Sequence, residues 1–232
     1  MAVGLLARRI LGRELANREL LSADRVAVHR RYWEELAQRP GRLLYVAVGD
    51  STAQGIGAGH PSGSYVGRLE RLLPGPLRVI NLSVTGARLS DLHSAVVPQL
   101  RALELDDALV TVTAGIADLD GFAPERFSAD AARLLDALPG HALVSDLPAL
   151  PFTPVGRHVP AANAILRDLA DARDLAVVPL YAATRRLAHL RALTHRSADL
   201  LHPNDLGYRT WARAMVGPAR ARLDAVGNRP SV

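Results

Sequence analysis

Five short runs of apolar β-formers constrain the fold of this chain more than anything else in it. They occupy residues 43–48, 77–82, 108–113, 142–146 and 175–180. Each is rich in Val and Leu, and none alternates strictly between apolar and polar positions. A strand with one wet face alternates; a strand covered on both faces does not, and that is the habit of parallel sheets flanked by helices. The intervening segments 64–73, 90–103, 128–138, 160–173 and 205–226 read as helices. Strand–helix alternation of this kind predicts an α/β fold, a three-layer α/β/α sandwich around a five-stranded parallel sheet. Ligands of such sheets bind outside the carboxyl ends of the strands. The residues just beyond the end of each run are therefore the first places to look for function.

The first run ends abruptly in Gly49-Asp50-Ser51, which puts a hydroxyl at the carboxyl edge of a strand. A serine is a weak nucleophile until a base takes its proton. Far downstream, Asp199-Leu200-Leu201-His202 offers such a base, with a carboxylate three residues before it to bond the second imidazole nitrogen. Ser51, Asp199 and His202 thus supply the three parts of a nucleophilic triad, in the chain order Ser, Asp, His. An Asp-x-x-His turn alone is a weak signal. Followed by Pro203-Asn204-Asp205-Leu206-Gly207-Tyr208, and paired with a strand-terminal Gly-Asp-Ser, it is a strong one.

These blocks resemble the SGNH, or GDSL-type, family of serine esterases and acylhydrolases over roughly residues 43–222. The resemblance implies a flavodoxin-like sandwich, with Ser51 as nucleophile and Asp199 and His202 as acid and base. The block Asn81-Leu82-Ser83-Val84-Thr85-Gly86 places Gly86 where the family binds the oxyanion through a backbone N–H. A turn at positive φ would also favour glycine there. The third block departs from the pattern. Where the family has Gly-x-Asn-Asp, this chain has Gly115-Ile116-Ala117-Asp118, so Ala117 replaces the usual Asn. The oxyanion hole implied for this chain is then the two amides of Ser51 and Gly86. Asn81, at the second run, and Asn163, in a helical stretch, are not positioned by sequence to fill the gap. The implied activity is metal-independent hydrolysis of a carboxylic ester of a small molecule, lipid or sugar, through an acyl-enzyme on Ser51. The competing expectation, motivated by Ala117, is a weak or inactive relative that binds an acylated or glycosylated ligand.

Other classes fit the sequence less well. All 28 basic side chains are arginine and the formal charge is +5. The arginines are interleaved with Asp and Glu, and aromatic residues make up only 4% of the chain, too few for base-stacking platforms, so no nucleic-acid partner is expected. Gly55-Ile56-Gly57-Ala58-Gly59 follows the first strand but lacks the phosphate-loop spacing, and a chain without lysine has no Walker A motif. No cofactor is expected. The histidines show no zinc-site spacing, so no metal is expected, and His60, His93, His141, His158, His189 and His195 read as surface or loop residues. His60 and His158 fall in loops near the expected crevice. Asp50 and Asp118 read as structural carboxylates bonded to loop amides. There is no cysteine.

Residues 1–40 stand apart as an N-terminal helical extension, with residues 41–228 as the hydrolase-like domain. Leu5, Leu6, Ile10 and Leu11 recur near helical spacing among Arg8, Arg9 and Arg13, and residues 22–38 form a second helical stretch ended by Pro40-Gly41. The extension is expected to pack on the domain or on a partner chain, with contact of a basic amphipathic helix with a membrane surface as the lesser expectation. No apolar run approaches a transmembrane span and the start does not fit a secretory signal, so a cytoplasmic protein is expected. The four-proline stretch 146–160 reads as a long loop above the sheet edge.

Overall fold

The computed structural model describes residues 12, 14–187 and 193–227. The expected apolar positions Leu5 to Leu11 and His189 lie outside them. The chain runs through a short helix α1 over residues 14–20, then α2 (Ala23–Ala37), β1 (Leu43–Gly49), α3 (Ser51–Gln54), α4 (Tyr65–Leu72), β2 (Leu77–Asn81), α5 (Leu89–Arg101), β3 (Leu109–Thr113), α6 (Pro124–Leu135), β4 (Leu143–Ser145), α7 (Val159–Asp171), β5 (Ala176–Val178), α8 (Leu180–Arg185) and α9 (Asp205–Gly227).

The five strands form one parallel sheet in the order β2-β1-β3-β4-β5. Val46 of β1 pairs with Ile80 on one side and Val110 on the other. Successive side chains on a strand point to opposite faces, and both faces here are apolar. Val46, Val48, Val110, Val112 and Val144 pack under α5, α6 and α7. Tyr45, Ala47, Leu109 and Leu143 face α2, α4 and α9. This two-sided burial is why the runs do not alternate. Each fully buried Leu or Val is worth about 1.5–3 kcal/mol relative to exposure, and the two clusters fix which helices lie on which face.

The chain leaves β1 toward β2 on one side and later returns to lay β3 on the other. That reversal of direction opens a crevice at the carboxyl ends of β1 and β3. Ser51 lies in it, directly after β1.

Several boundaries differ from the sequence expectation. Helix α6 starts at Pro124, four residues before the expected Ser128; proline lacks an N–H and is well placed in a first helical turn, where that donor has no partner. The fifth run splits. Pro179 ends β5, and Leu180 opens α8 rather than closing the strand. The buried Asp146 directs this turn: its Oδ1 accepts from Tyr181 N at 2.6 Å, and its Oδ2 pairs with Arg167. The proline-rich stretch after β4 includes a 3-10 turn, Pro154–His158, that leads into α7.

Candidate active site

Strand β1 delivers Ser51 to the start of the one-turn helix α3. Asp50 caps that turn, its Oδ1 accepting from Thr52 N at 2.9 Å and from the Thr52 hydroxyl at 2.7 Å. Burial pushes the Asp50 carboxyl up from its ordinary value, against the pull of these donors. Two side chains of α2 hold the other end of the turn. Trp33 Nε1 donates to Gln54 O at 2.9 Å, and His29 Nδ1 lies 3.0 Å from the same oxygen. Helix-terminal carbonyls have no partner within their own helix, so α2 supplies partners to the turn that carries Ser51. Burial lowers the His29 pKa, which favours the neutral ring.

The segment before α9 delivers the other two groups. Ser51 Oγ lies 2.8 Å from His202 Nε2, and His202 Nδ1 lies 2.5 Å from Asp199 Oδ2. With Nδ1–H donated to Asp199, Nε2 is left to accept the Ser51 hydroxyl proton. The second carboxylate oxygen, Asp199 Oδ1, accepts from the N–H of Leu201 and of His202, each at 3.0 Å. The tight turn that makes this possible puts Leu200 at φ +58, a left-handed conformation uncommon for a bulky side chain and found where the surroundings enforce it. Burial raises the Asp199 pKa, but the bond and charge of His202 and the two N–H donors outweigh it and hold the carboxyl below its usual range. All three side chains are largely shielded from solvent, with Asp199 and His202 each 3% exposed.

The glycine-rich segment after α3 is the seat of this turn. A Cβ on Gly57 would stand 2.3 Å from Pro203 O and 3.0 Å from His202 Cβ. Ser197 Oγ donates to Gly57 O at 3.1 Å, and Tyr208 OH donates to Ile56 O at 2.7 Å. Asn204 caps α9 by accepting from Leu206 N and Gly207 N, and Asp205 accepts from Gly59 N. Those partners explain the residues C-terminal to His202. Arg196 clamps the turn from below, donating to Leu201 O and Ala149 O at 2.5 Å each. Burial pushes its pKa down to about 10 against the attraction of Asp199, so the guanidinium stays charged at neutral pH.

A cavity of about 200 Å³ opens beside Ser51 and His202, with Gly86, Ile116, Ala117 and Leu201 among its walls. Gly86 has φ +77, the positive value that favours glycine at its turn. Among the described residues no acceptor takes the N–H of Ser51 or of Gly86. Ala117 presents only a methyl group. A second cavity of about 360 Å³ adjoins the first and shares Asn17, Val155 and Leu201 with it. The proline-rich stretch contributes Val155 to both, and Thr153 and Pro154 to the second.

The remaining sequence candidates lie elsewhere. His60 caps a turn through Ser62 and packs its ring against Tyr32, and His158 packs against Phe122; neither lines either cavity. Asn81 Nδ2 donates to Ala53 O, and Asn163 is bonded through both side-chain atoms to Leu147. Asp118 accepts from Leu89 N at 3.0 Å. Among the described residues no group of three His, Asp or Glu side chains is placed to hold a metal, and no helix is long and apolar enough to cross a membrane. Sequence reasoning missed Asn17 and Leu21, which the region around α1 brings into the first cavity. Nothing in their local pattern marks them.

Comparison with solved structures finds the same fold at low identity. A lipase/acylhydrolase from Enterococcus faecalis is 19% identical, with a TM-score of 0.62 over 78% of this chain and 96% of that one. A lipase from a goat rumen metagenome is 19% identical, with a TM-score of 0.59 over 78% and 99%. An acetylxylan esterase from Geobacillus stearothermophilus is 18% identical, with a TM-score of 0.57 over 77% and 94%. No curated protein sequence matches. The family model described as the GDSL-like lipase/acylhydrolase family matches residues 47–210, from within β1 into α9. By that match, over most of its length, the chain belongs to the GDSL-like lipase/acylhydrolase family.

Proposed function

We propose that the protein hydrolyses a carboxylic ester through an acyl-enzyme on Ser51, without a metal or cofactor. The observation that carries this reading is the continuous link from Ser51 Oγ through the His202 imidazole to the buried Asp199 carboxylate. Ser51 Oγ attacks the acyl carbon as His202 Nε2 takes its proton. The oxyanion that forms is held by the N–H groups of Ser51 and Gly86. The carbon–oxygen bond to the alcohol then breaks, and His202 returns the proton to the leaving oxygen. Water, deprotonated by His202, releases the acid and restores Ser51. Asp199 fixes the imidazole tautomer and stabilises its cation. The cavity of about 200 Å³ beside Ser51 suits a short acyl group, and the adjoining cavity suits the alcohol portion of a small-molecule, sugar or lipid ester.

Ala117 supports a second reading, a weak or inactive relative that binds an acylated or glycosylated ligand. Two measurements separate them: labelling of Ser51 by a fluorophosphonate, and turnover of p-nitrophenyl acetate. The first reading expects both, with Ser51→Ala abolishing them in a protein that still folds. Losses of the order of 10⁶-fold in turnover are expected for Ser51→Ala and His202→Ala, and about 10⁴-fold for Asp199→Ala. Wild-type turnover by Ser51→Ala would remove Ser51 as nucleophile. An unlabelled, inactive wild type would favour the binding reading.

A further inference from the structure

An ester hydrolase with only two backbone donors at its oxyanion lacks a term of some weight. Removing one preorganised donor from such a site costs about 10²–10³ in turnover. Ala117 has no group to give. The same cavity has one uncommitted carboxamide in its wall, and it comes from far outside the strand–helix framework. Asn17 lies on α1, which precedes the sheet, and it lines both the cavity holding Ser51 and Gly86 and the one adjoining it. Glu14, Asn17 and Leu21 recur at helical spacing along the side of this segment that meets the two cavities. Leu21 N donates to Asn17 O at 2.9 Å, which continues the turn.

The side-chain oxygen Oδ1 of Asn17 is buried and has no hydrogen-bond partner. A buried polar atom left without a partner costs about 1–3 kcal/mol, so such an atom calls for an explanation. The other asparagines among the described residues are committed. Asn81, Asn163 and Asn204 all bond backbone atoms through their amides. Turning the Asn17 carboxamide by 180° exchanges its oxygen for its NH₂ at little cost in shape. No bond of the oxygen fixes either orientation, so the amide is free to present its N–H to the cavity that the residue lines.

We propose that Asn17 supplies the oxyanion's third hydrogen bond: its side-chain N–H donates to the acyl oxygen of the bound ester as charge develops there, in place of the side chain missing at Ala117. The N-terminal helix is thereby part of the active site. This rests on the ester-hydrolase reading above. It adds to that reading a catalytic residue contributed from outside residues 47–210, the segment that carries the family match.

The test is steady-state kinetics of the full chain with p-nitrophenyl acetate for wild type, Asn17→Ala, Asn17→Asp, Ala117→Asn and the double variant Asn17→Ala/Ala117→Asn. Thermal unfolding is measured on each. Alanine is a better helix former than asparagine, so Asn17→Ala should fold. The proposal expects Asn17→Ala to lose about 10²-fold in kcat with little change in KM, because the bond strengthens only in the transition state. Asn17→Asp, which keeps the shape but puts an acceptor in place of the donor, should lose at least as much. Ala117→Asn alone should gain little, since the donor is already present, but it should restore most of the loss in the double variant. Wild-type kcat in Asn17→Ala overturns the proposal. So does a change confined to KM, or a loss that Ala117→Asn does not repair. A wild type whose turnover does not depend on Ser51 overturns the hydrolase reading and this one with it. A Ser51-dependent wild type with an indifferent Asn17 overturns this one alone.

Discussion

Gly57 contacts neither cavity, yet the position of His202 depends on it. Its φ is +97, and a methyl group there would collide with Pro203 O, Ser197 Oγ and His202 Cβ. The neighbours are backbone and a short side chain, so relief must come from shifting the Asp199–His202 turn. Gly57→Ala is therefore expected to destabilise the fold by about 1–3 kcal/mol and to lower kcat beyond what stability explains, because Nε2 would leave its 2.8 Å contact with Ser51. Thermal unfolding and kinetics on one preparation check both halves. A stable variant with full turnover would show that the two loops are not coupled as described. Residues of this kind mark the limit of what a sequence can reveal. The proposed triad of Ser51, Asp199 and His202 is legible because the chemistry proposed for it requires those residue types in short patterns. The role of the glycines after α3 is not, because it consists of a close approach to chain about 140 residues away. Asn17 is hidden for the same reason: on a charged helix it reads as one more solvated polar side chain.

At the scale of elements, the connections after β2 and β3 are joined by Asp118, which accepts from Leu89 N at the start of α5. Burial pushes the Asp118 pKa up to about 6, and the Leu89 N–H and Arg88 only partly offset it. The native state therefore holds this proton more tightly than the unfolded chain. The stability linked to it is full below the ordinary carboxylate value of about 4 and is lost as pH rises through about 6. Asp118→Asn keeps an acceptor for Leu89 N and removes the titration. The variant should match wild type near pH 4 and exceed it in melting temperature at pH 8. A lower melting temperature at pH 8 would mean that the charge at the α5 terminus outweighs burial. A second element-scale expectation concerns α2. Trp33→Phe keeps most of the buried ring but loses the donor to Gln54 O, at a cost of about 1 kcal/mol, whereas Trp33→Ala should cost about 3–5 kcal/mol. Chemical denaturation of the two variants gives the difference. The elements themselves are legible where apolar runs are long and bounded. They are misread where one residue changes the geometry without changing the hydropathy, as Pro179 does in turning the end of the fifth run into α8.

Considered as a whole, the molecule separates what holds it together from what completes its site. The apolar core comprises two clusters, one on each face of the sheet, and among the described residues neither contains one before Tyr32. Helix α2 belongs to this framework through Trp33 and Leu36, which are 4% and 2% exposed. Helix α1 does not; its Leu15 is 57% exposed, and the segment's described part in the molecule is to wall the cavities with Glu14, Asn17 and Leu21. A chain that begins at Ser22 should therefore keep both clusters, the five paired strands and the Ser51–His202–Asp199 link. It should unfold cooperatively within a few degrees of the full chain. Its turnover of a short ester should fall at least as far as that of Asn17→Ala, since it loses the Leu21 wall together with the carboxamide. Its KM should also rise, because an apolar side of the acyl cavity is gone, and this distinguishes the truncation from the single substitution. Circular dichroism on heating and a Michaelis curve on the shortened protein decide the matter. A collapse of the fold would make α1 part of the framework. Unchanged kinetics in a well-folded truncation would take the N-terminal helix out of the site altogether.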